Sequence, residues 1–402
     1  MFPYFVNEDG ELIMGLYNEP LSENDLKIIS QFKKIKLGKK FNQKIDNLPR
    51  ITHLTLGDEF NQSIDNLPIS LTHLFLGKRF DQKIDYLPEN LVELHIGKFF
   101  SKKIDYLPRN LKLLCFTNEC GFNRCIDYLP ENLDKLCFGY LSLFNQRIDH
   151  LPSNLRVLKI GGKFNQPVDN LPCNLKKLSF IWSKFNQEIN YLPESLEKIH
   201  LSIEYNFPVN NLPKNIKKIH FGYFFNQIVD NLPNGLKKIT FNDNFNSSCD
   251  NLPSSVEEID FGMDFNQPID NLPPNVKFIS FTSCRFNYPI NDLPNGLTHL
   301  FFNVACYFNQ PIDNLPSTLK YLELSGCFNK PINNLPNGLI RLSLGSNFNQ
   351  PINNLPDSIE EIIIQCYSYK HKITKLPSNL KKITLPKRYK NLVLENVKII
   401  LN

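Results

Sequence analysis

The chain has 402 residues, with 45 Lys and Arg against 40 Asp and Glu, and a formal net charge of +5 this small gives no bulk-charge reason to bind nucleic acid or a membrane surface. No run of about 18 apolar residues occurs, and residues 1–30 lack a basic stretch leading into an apolar one, so neither a membrane span nor a secretory leader is expected; the default is a cytoplasmic, intracellular protein. Ten cysteines without regular spacing suit reduced thiols better than a disulfide framework.

In chain order, residues 1–31 carry no repeat. Phe5-Val6 and Leu12-Ile13 flank Glu8-Asp9-Gly10, which predicts a hairpin, and Ser22 three residues before Asp25 opens a short helix through Leu26, Ile28 and Ile29. This segment is expected to cap the first coil of an array, since a terminal repeat must shield its open edge.

The array occupies residues 32–385. An aromatic residue, usually followed by Asn, with Leu-Pro ending eight positions after the aromatic, occurs seventeen times, from Phe41 and Pro49 to Tyr369 and Pro377, at spacings of 19 to 22. A period near 20 means a solenoid of short stacked coils. Downstream of each Leu-Pro, alternation such as Leu74-Phe75-Leu76 marks a half-buried strand with two side chains inward and one outward. The expected fold is therefore mainly β: one right-handed parallel solenoid of about 17 coils, one strand per coil. The return path is too short for a useful helix and is broken by Pro167, Pro208, Pro268, Pro289, Pro311, Pro331 and Pro351, so it should be extended or a single turn. The Asn after the aromatic, present in fourteen of the seventeen units, can satisfy backbone donors and acceptors coil upon coil. Residues 386–402 form the far cap, with two apolar strands expected across Tyr389 to Leu401.

Phe-Asn-x-Pro-Ile followed by Leu-Pro, as in Phe308 to Pro316 and Phe348 to Pro356, resembles the FNIP repeat, a relative of the leucine-rich repeats. The resemblance covers about residues 41–385 and implies an intracellular binding solenoid, with no catalysis assigned to the repeat. Only seven units have Pro in the third slot after the aromatic, and Cys249 replaces the usual Ile or Val.

Outward strand positions are free of packing duty and form the expected binding surface. Lys135, Lys159, Lys177, Lys198, His200, Lys218, His220 and Lys238 lie there as a basic stripe reinforced by Lys176, Lys217 and Lys237, followed by the aromatic patch Phe278, His299, Phe301 and Tyr321. Trp182, beside Ile181 at the rim, is a further candidate. The turns opposite carry an acidic row that includes Asp46, Asp65, Asp85 and Asp105. His53 with His73, and His200 with His220, sit on adjacent strands, but no third ligand is evident and no metal is expected. Cys115 and Cys137 also occupy neighbouring strands, open to reading as a thiol cluster or as small-site fillers.

No phosphate loop, nucleophile elbow, His-Glu-x-x-His or Cys-x-x-Cys is present, and the recurring carboxylates fill one repeated slot, so neither a catalytic residue nor a cofactor is expected. The reading is a monomeric, non-catalytic scaffold binding one or more proteins, an acidic surface suiting the stripe. Two alternatives stand beside it: a substrate-binding adaptor of a ubiquitin ligase, with residues 1–31 recruiting the ligase core, and a binder of polyanions or nucleic acid through the lysines, disfavoured because stacking aromatics are missing from the basic stretch.

Overall fold

The structure, a computed structural model, describes residues 4–15, 18–389 and 398–401. The chain divides into two compact units, Met1–Glu204 and Tyr205–Asn402.

In the first unit, Phe5–Val6 and Leu12–Met14 form an antiparallel hairpin. Its turn is held by Asn7 Oδ1, which accepts from Asp9 N (3.1 Å) and Glu11 N (2.9 Å). Helix Glu23–Ile29 follows, closed by a reciprocal cap in which Asp25 N donates to Ser22 Oγ (3.2 Å) and Ser22 N to Asp25 Oδ2 (2.7 Å). Leu12–Met14 lies parallel to Lys34–Leu37. From there His53–Thr55, His73–Phe75, Glu93–Ile96, Leu113–Phe116, Lys135–Cys137, Val157–Lys159, Lys177–Ser179 and Lys198–His200 succeed one another in parallel. Alternation turns one residue of each three-residue strand inward and two of each four-residue strand. Ile35, Leu54, Leu74, Leu94, Leu114, Leu136, Leu158, Leu178 and Ile199 stand side by side, none more than 1% exposed.

The second unit repeats the plan through Lys218–His220, Lys238–Thr240, Glu258–Phe261, Phe278–Phe281, His299–Phe302, Tyr321–Leu324, Arg341–Leu344, Glu361–Ile364, Lys382–Leu385 and Lys398–Leu401, all parallel. The expected seventeen coils become nineteen, because Lys34–Leu37 precedes the first copy of the signature and Lys398–Leu401 follows the last. Lys34–Leu37 has no Leu-Pro before it, and the Leu385-Pro386 that precedes Lys398–Leu401 lacks the aromatic eight residues earlier, so counting the signature misses both. Of the two strands expected across Tyr389 to Leu401, the first falls on residues 390–397, outside the described residues.

Three ladders explain why the signature is what it is. The Phe rings stack from coil to coil, Phe41 on Phe60 at 6.2 Å and Phe245 on Phe265 at 6.0 Å, and all four are fully buried. The Asn after each aromatic accepts, through Oδ1, the backbone N–H of its counterpart one coil on: Asn61 N to Asn42 (2.8 Å), Asn165 N to Asn145 (2.8 Å), Asn246 N to Asn226 (2.9 Å). The ladder starts outside the array, at Asn18 Oδ1, which accepts from Asn42 N at 2.8 Å. Asp81 keeps it going as an acceptor for Ser101 N, whereas Ser101 has too short a side chain, and Arg124 Nε bonds the Ser101 carbonyl instead. Finally, the Pro carbonyl accepts from the Leu three residues on, as Leu71 N to Pro68 O (2.9 Å), which closes the turn without a helix. Coils approach so closely after the strand that a Cβ on Gly77 would meet the Gly57 carbonyl oxygen at 1.8 Å. Helix Glu23–Ile29 is the only one among the described residues, and none there is long and apolar enough to cross a membrane.

Candidate binding face

On the outer face of the first unit, parallel register orders the exposed side chains into rows. One row reads Lys34, His53, His73, Glu93, Leu113, Lys135, Val157, Lys177, Lys198, and the next Lys36, Thr55, Phe75, His95, Cys115, Cys137, Lys159, Ser179, His200. The lysine stripe is thus interrupted. Val157 separates Lys135 from Lys177, and of these residues only Lys177 and Lys198 are direct neighbours within a row. Lys176 is neutralised by Glu197 at 2.9 Å. Towards the start of the unit, His53 and His73 stack at 4.0 Å with 7° between planes, each Nδ1 bonded to the hydroxyl of the preceding Thr. Burial, then the neighbouring His73 and Lys34, lower the His53 pKa, which favours the neutral ring. Glu93 bonds His95, whose ring stacks on Phe75 at 4.3 Å. No group of three or more metal-ligating side chains is found among the described residues.

Trp182 lies off the strands, in the turn between Lys177–Ser179 and Phe185. It is 60% exposed at a left-handed φ of 56°, and its carbonyl accepts from Gly162 N at 3.1 Å.

In the second unit Lys218 and Lys238 are neighbours in register, as are His220 and Thr240. Ion pairs quench much of the positive charge: Lys237 meets Glu257 (2.6 Å), and Lys238 meets both Glu258 (2.9 Å) and Asp260 (3.1 Å). Burial works to lower the Lys238 pKa, but those two carboxylates outweigh it and hold the ammonium charged. Lys237 with Glu257 and Lys238 with Glu258 lie twenty positions apart, one coil, and Asp260 lies two further on, in the same strand as Glu258, so the repeat period itself could have revealed them. Beyond this pair the face changes character. Phe278, His299 and Tyr321 are consecutive in one row, with Phe301 in the next. His299 stacks on Tyr321 (4.5 Å), Phe301 stands edge-on to Phe278 (5.4 Å) and to His299 (5.8 Å), and Lys238 Nζ lies 5.8 Å from the centre of the Phe278 ring. All four rings remain half-buried, and burial lowers the His299 pKa. The sequence-predicted aromatic residues are therefore brought together, while the lysines are brought together only in pairs.

A sheet of single strands with stacked turns on its return side is the architecture of a leucine-rich-repeat-like solenoid. The FNIP repeat profile matches residues 41–79, 60–99, 144–183, 225–264, 265–304, 286–327 and 328–367, more than half of the sequence, and the chain belongs to the FNIP repeat family. Among solved structures, CroV588, described as a novel circular leucine-rich-repeat protein, is 34% identical with a TM-score of 0.76, over 98% of this chain and 72% of that one. YopM from Yersinia enterocolitica WA-314 is 19% identical (TM-score 0.53; 88% and 84% covered). The Toll–Spatzle complex of Drosophila is 13% identical (TM-score 0.63; 98% and 64% covered). The last two share the fold alone. No curated protein matches the chain.

Proposed function

We propose that this protein is a non-catalytic scaffold that binds a partner protein through its outer strand face, with Phe278, His299, Phe301 and Tyr321 as the anchor. The observation that carries the reading is that ring cluster. Four aromatic side chains in mutual contact on three successive strands are left half-open to solvent on a face that does no packing. Clusters of this kind are where interface energy concentrates, because large rigid rings bury area at low entropic cost. In the first unit Lys135, Lys159, Lys177, Lys198 and His200 offer a separate place for an acidic partner surface, as Lys218 and His220 do in the second, and Trp182 an apolar contact at the rim.

Residues 1–31 act as a cap in this reading, residues 32–385 as the repeat array and 386–402 as the far cap. Leu12, Met14 and Ile29 are buried at 2% or less, and Asn18 supplies the first rung of the Asn ladder, which supports a capping role for this segment. The test compares capture by the wild-type protein with capture by Phe301→Ala/Tyr321→Ala and by Lys177→Glu/Lys198→Glu. A partner lost only with the aromatic variant supports the anchor; one lost only with the lysine variant moves the site to the first unit.

A further inference from the structure

Cys115 and Cys137 stand in register on adjacent strands, Leu113–Phe116 and Lys135–Cys137, and both are half-buried on the outer face. Their surroundings are unlike those of the other thiols. Lys135 precedes Cys137 by two residues and shares its face, and Lys159 is in register with Cys137 on the next strand. On the far side His95, bonded to Glu93, is in register with Cys115. Neighbouring strands are about 4.8 Å apart, within the range of about 4.4–6.8 Å that a disulfide accepts between Cα atoms.

We propose that Cys137 is a reactive thiolate that takes an anionic disulfide of the glutathione kind, forming a mixed disulfide on the outer strand face with Cys115 as the resolving thiol.

The neighbouring Cys115 thiol, with the Lys135 and Lys159 ammonium groups, outweighs desolvation and lowers the Cys137 thiol below its ordinary value. The neighbouring Cys137 sulfur, then burial, push Cys115 up, so it waits as the protonated partner. A lowered thiol holds more thiolate near neutral pH, and its weaker intrinsic nucleophilicity takes back only part of that gain. In the first step the Cys137 thiolate attacks one sulfur of the reagent. The reagent's S–S bond breaks, and its other half leaves as a thiolate that takes a proton from water. In the second, Cys115 loses its proton and attacks the Cys137 sulfur, expelling the remaining half. The net change is one dithiol oxidised, one disulfide reagent reduced to two thiols. The reagent's carboxylates match Lys135 and Lys159.

Other thiols serve as internal controls. Cys284 and Cys306 lie 2.9 Å apart but are wholly buried, out of reach of a reagent. Cys125, Cys173 and Cys327 are more exposed than Cys137, and Asp127 beside Cys125 pushes that thiol up.

The experiment exposes the intact, reduced chain briefly to glutathione disulfide or to neutral hydroxyethyl disulfide, quenches with acid, and maps adducts by peptide mass. Cys137 is expected to react first, several-fold ahead of the surface thiols. Cys137→Ser should lose this fast phase, and Cys115→Ser should stop at the mixed disulfide. Lys135→Met/Lys159→Met should slow glutathione disulfide more than the neutral reagent, with melting temperatures unchanged. Adducts that follow exposure, at Cys125, Cys173 and Cys327 before Cys137, overturn the proposal. So does a lysine variant that slows both reagents equally.

Discussion

His299 stacks on Tyr321 across adjacent parallel strands, ring centres 4.5 Å apart and planes 14° from parallel. Nothing in the solenoid's packing requires this contact, since the inward residues of those strands, Leu300 and Leu322, already fill the core at 1% exposure or less. The stack belongs to the surface and orders two rings before any partner arrives. Preorganised rings lose less entropy on binding.

Truncating that surface should therefore separate binding from folding. Phe301→Ala or Tyr321→Ala is expected to weaken the partner complex by about 2–4 kcal/mol while changing unfolding free energy by about 1 kcal/mol or less, because each ring is only half-buried. Calorimetric titration and denaturant unfolding of the same variants measure the two quantities.

The Asn ladder predicts the opposite separation. Asn61 Oδ1 accepts from Asp81 N (2.9 Å) and Gln82 Nε2 (3.1 Å) in a part-buried site. Asn61→Ala should cost about 1–2 kcal/mol by leaving that N–H without its acceptor, whereas Asn61→Asp should cost less, as Asp81 performs the same task one coil on. Urea unfolding of both variants distinguishes them, and equal losses would remove the ladder from the account.

Glycine at the strand exit is a steric requirement. Gly77→Ala would drive its Cβ towards the Gly57 carbonyl oxygen, 1.8 Å away and part of the backbone, so coils must part to admit it. A loss of about 1–3 kcal/mol is expected, read as a lower melting temperature of the full chain.

Acidification should destabilise the fold through His53 and His299. Burial lowers both folded-state pKa values from 6.5, so the unfolded chain binds protons first as the pH falls. The stability these neutral rings contribute is complete above about 6.5 and is lost as the pH drops through the lower, folded values. Melting temperatures of wild type and His53→Gln/His299→Gln, measured from pH 7.5 to 5, should converge as acid is added. A constant gap would show that the rings titrate as in the unfolded chain.

Much of this was legible in the residues, for a physical reason: a period of one coil repeats each environment, so Leu-Pro, Phe-Asn and the alternating strand each report the same slot many times. Strands lacking the signature were not counted by it, as Lys34–Leu37 and Lys398–Leu401 show. The aromatic candidates were found because register follows directly from the period. Within the lysine stripe Val157 occupies a slot in the row, and the carboxylates that Lys176, Lys237 and Lys238 meet one coil away are visible only once the coils are set in register. Trp182's left-handed backbone had no local signal at all, since Gly rather than Trp marks such positions.

The most direct measurement is hydroxyl-radical footprinting of the protein alone and with its captured partner, read at aromatic side chains by mass spectrometry. Protection at Phe278, Phe301 and Tyr321, with exposed Tyr86, Tyr106, Tyr367 and Trp182 unchanged, is the predicted result. Protection confined to Trp182 or to the turn tyrosines, with the Phe301 and Tyr321 rates unaltered, would contradict the assignment of binding to the strand face.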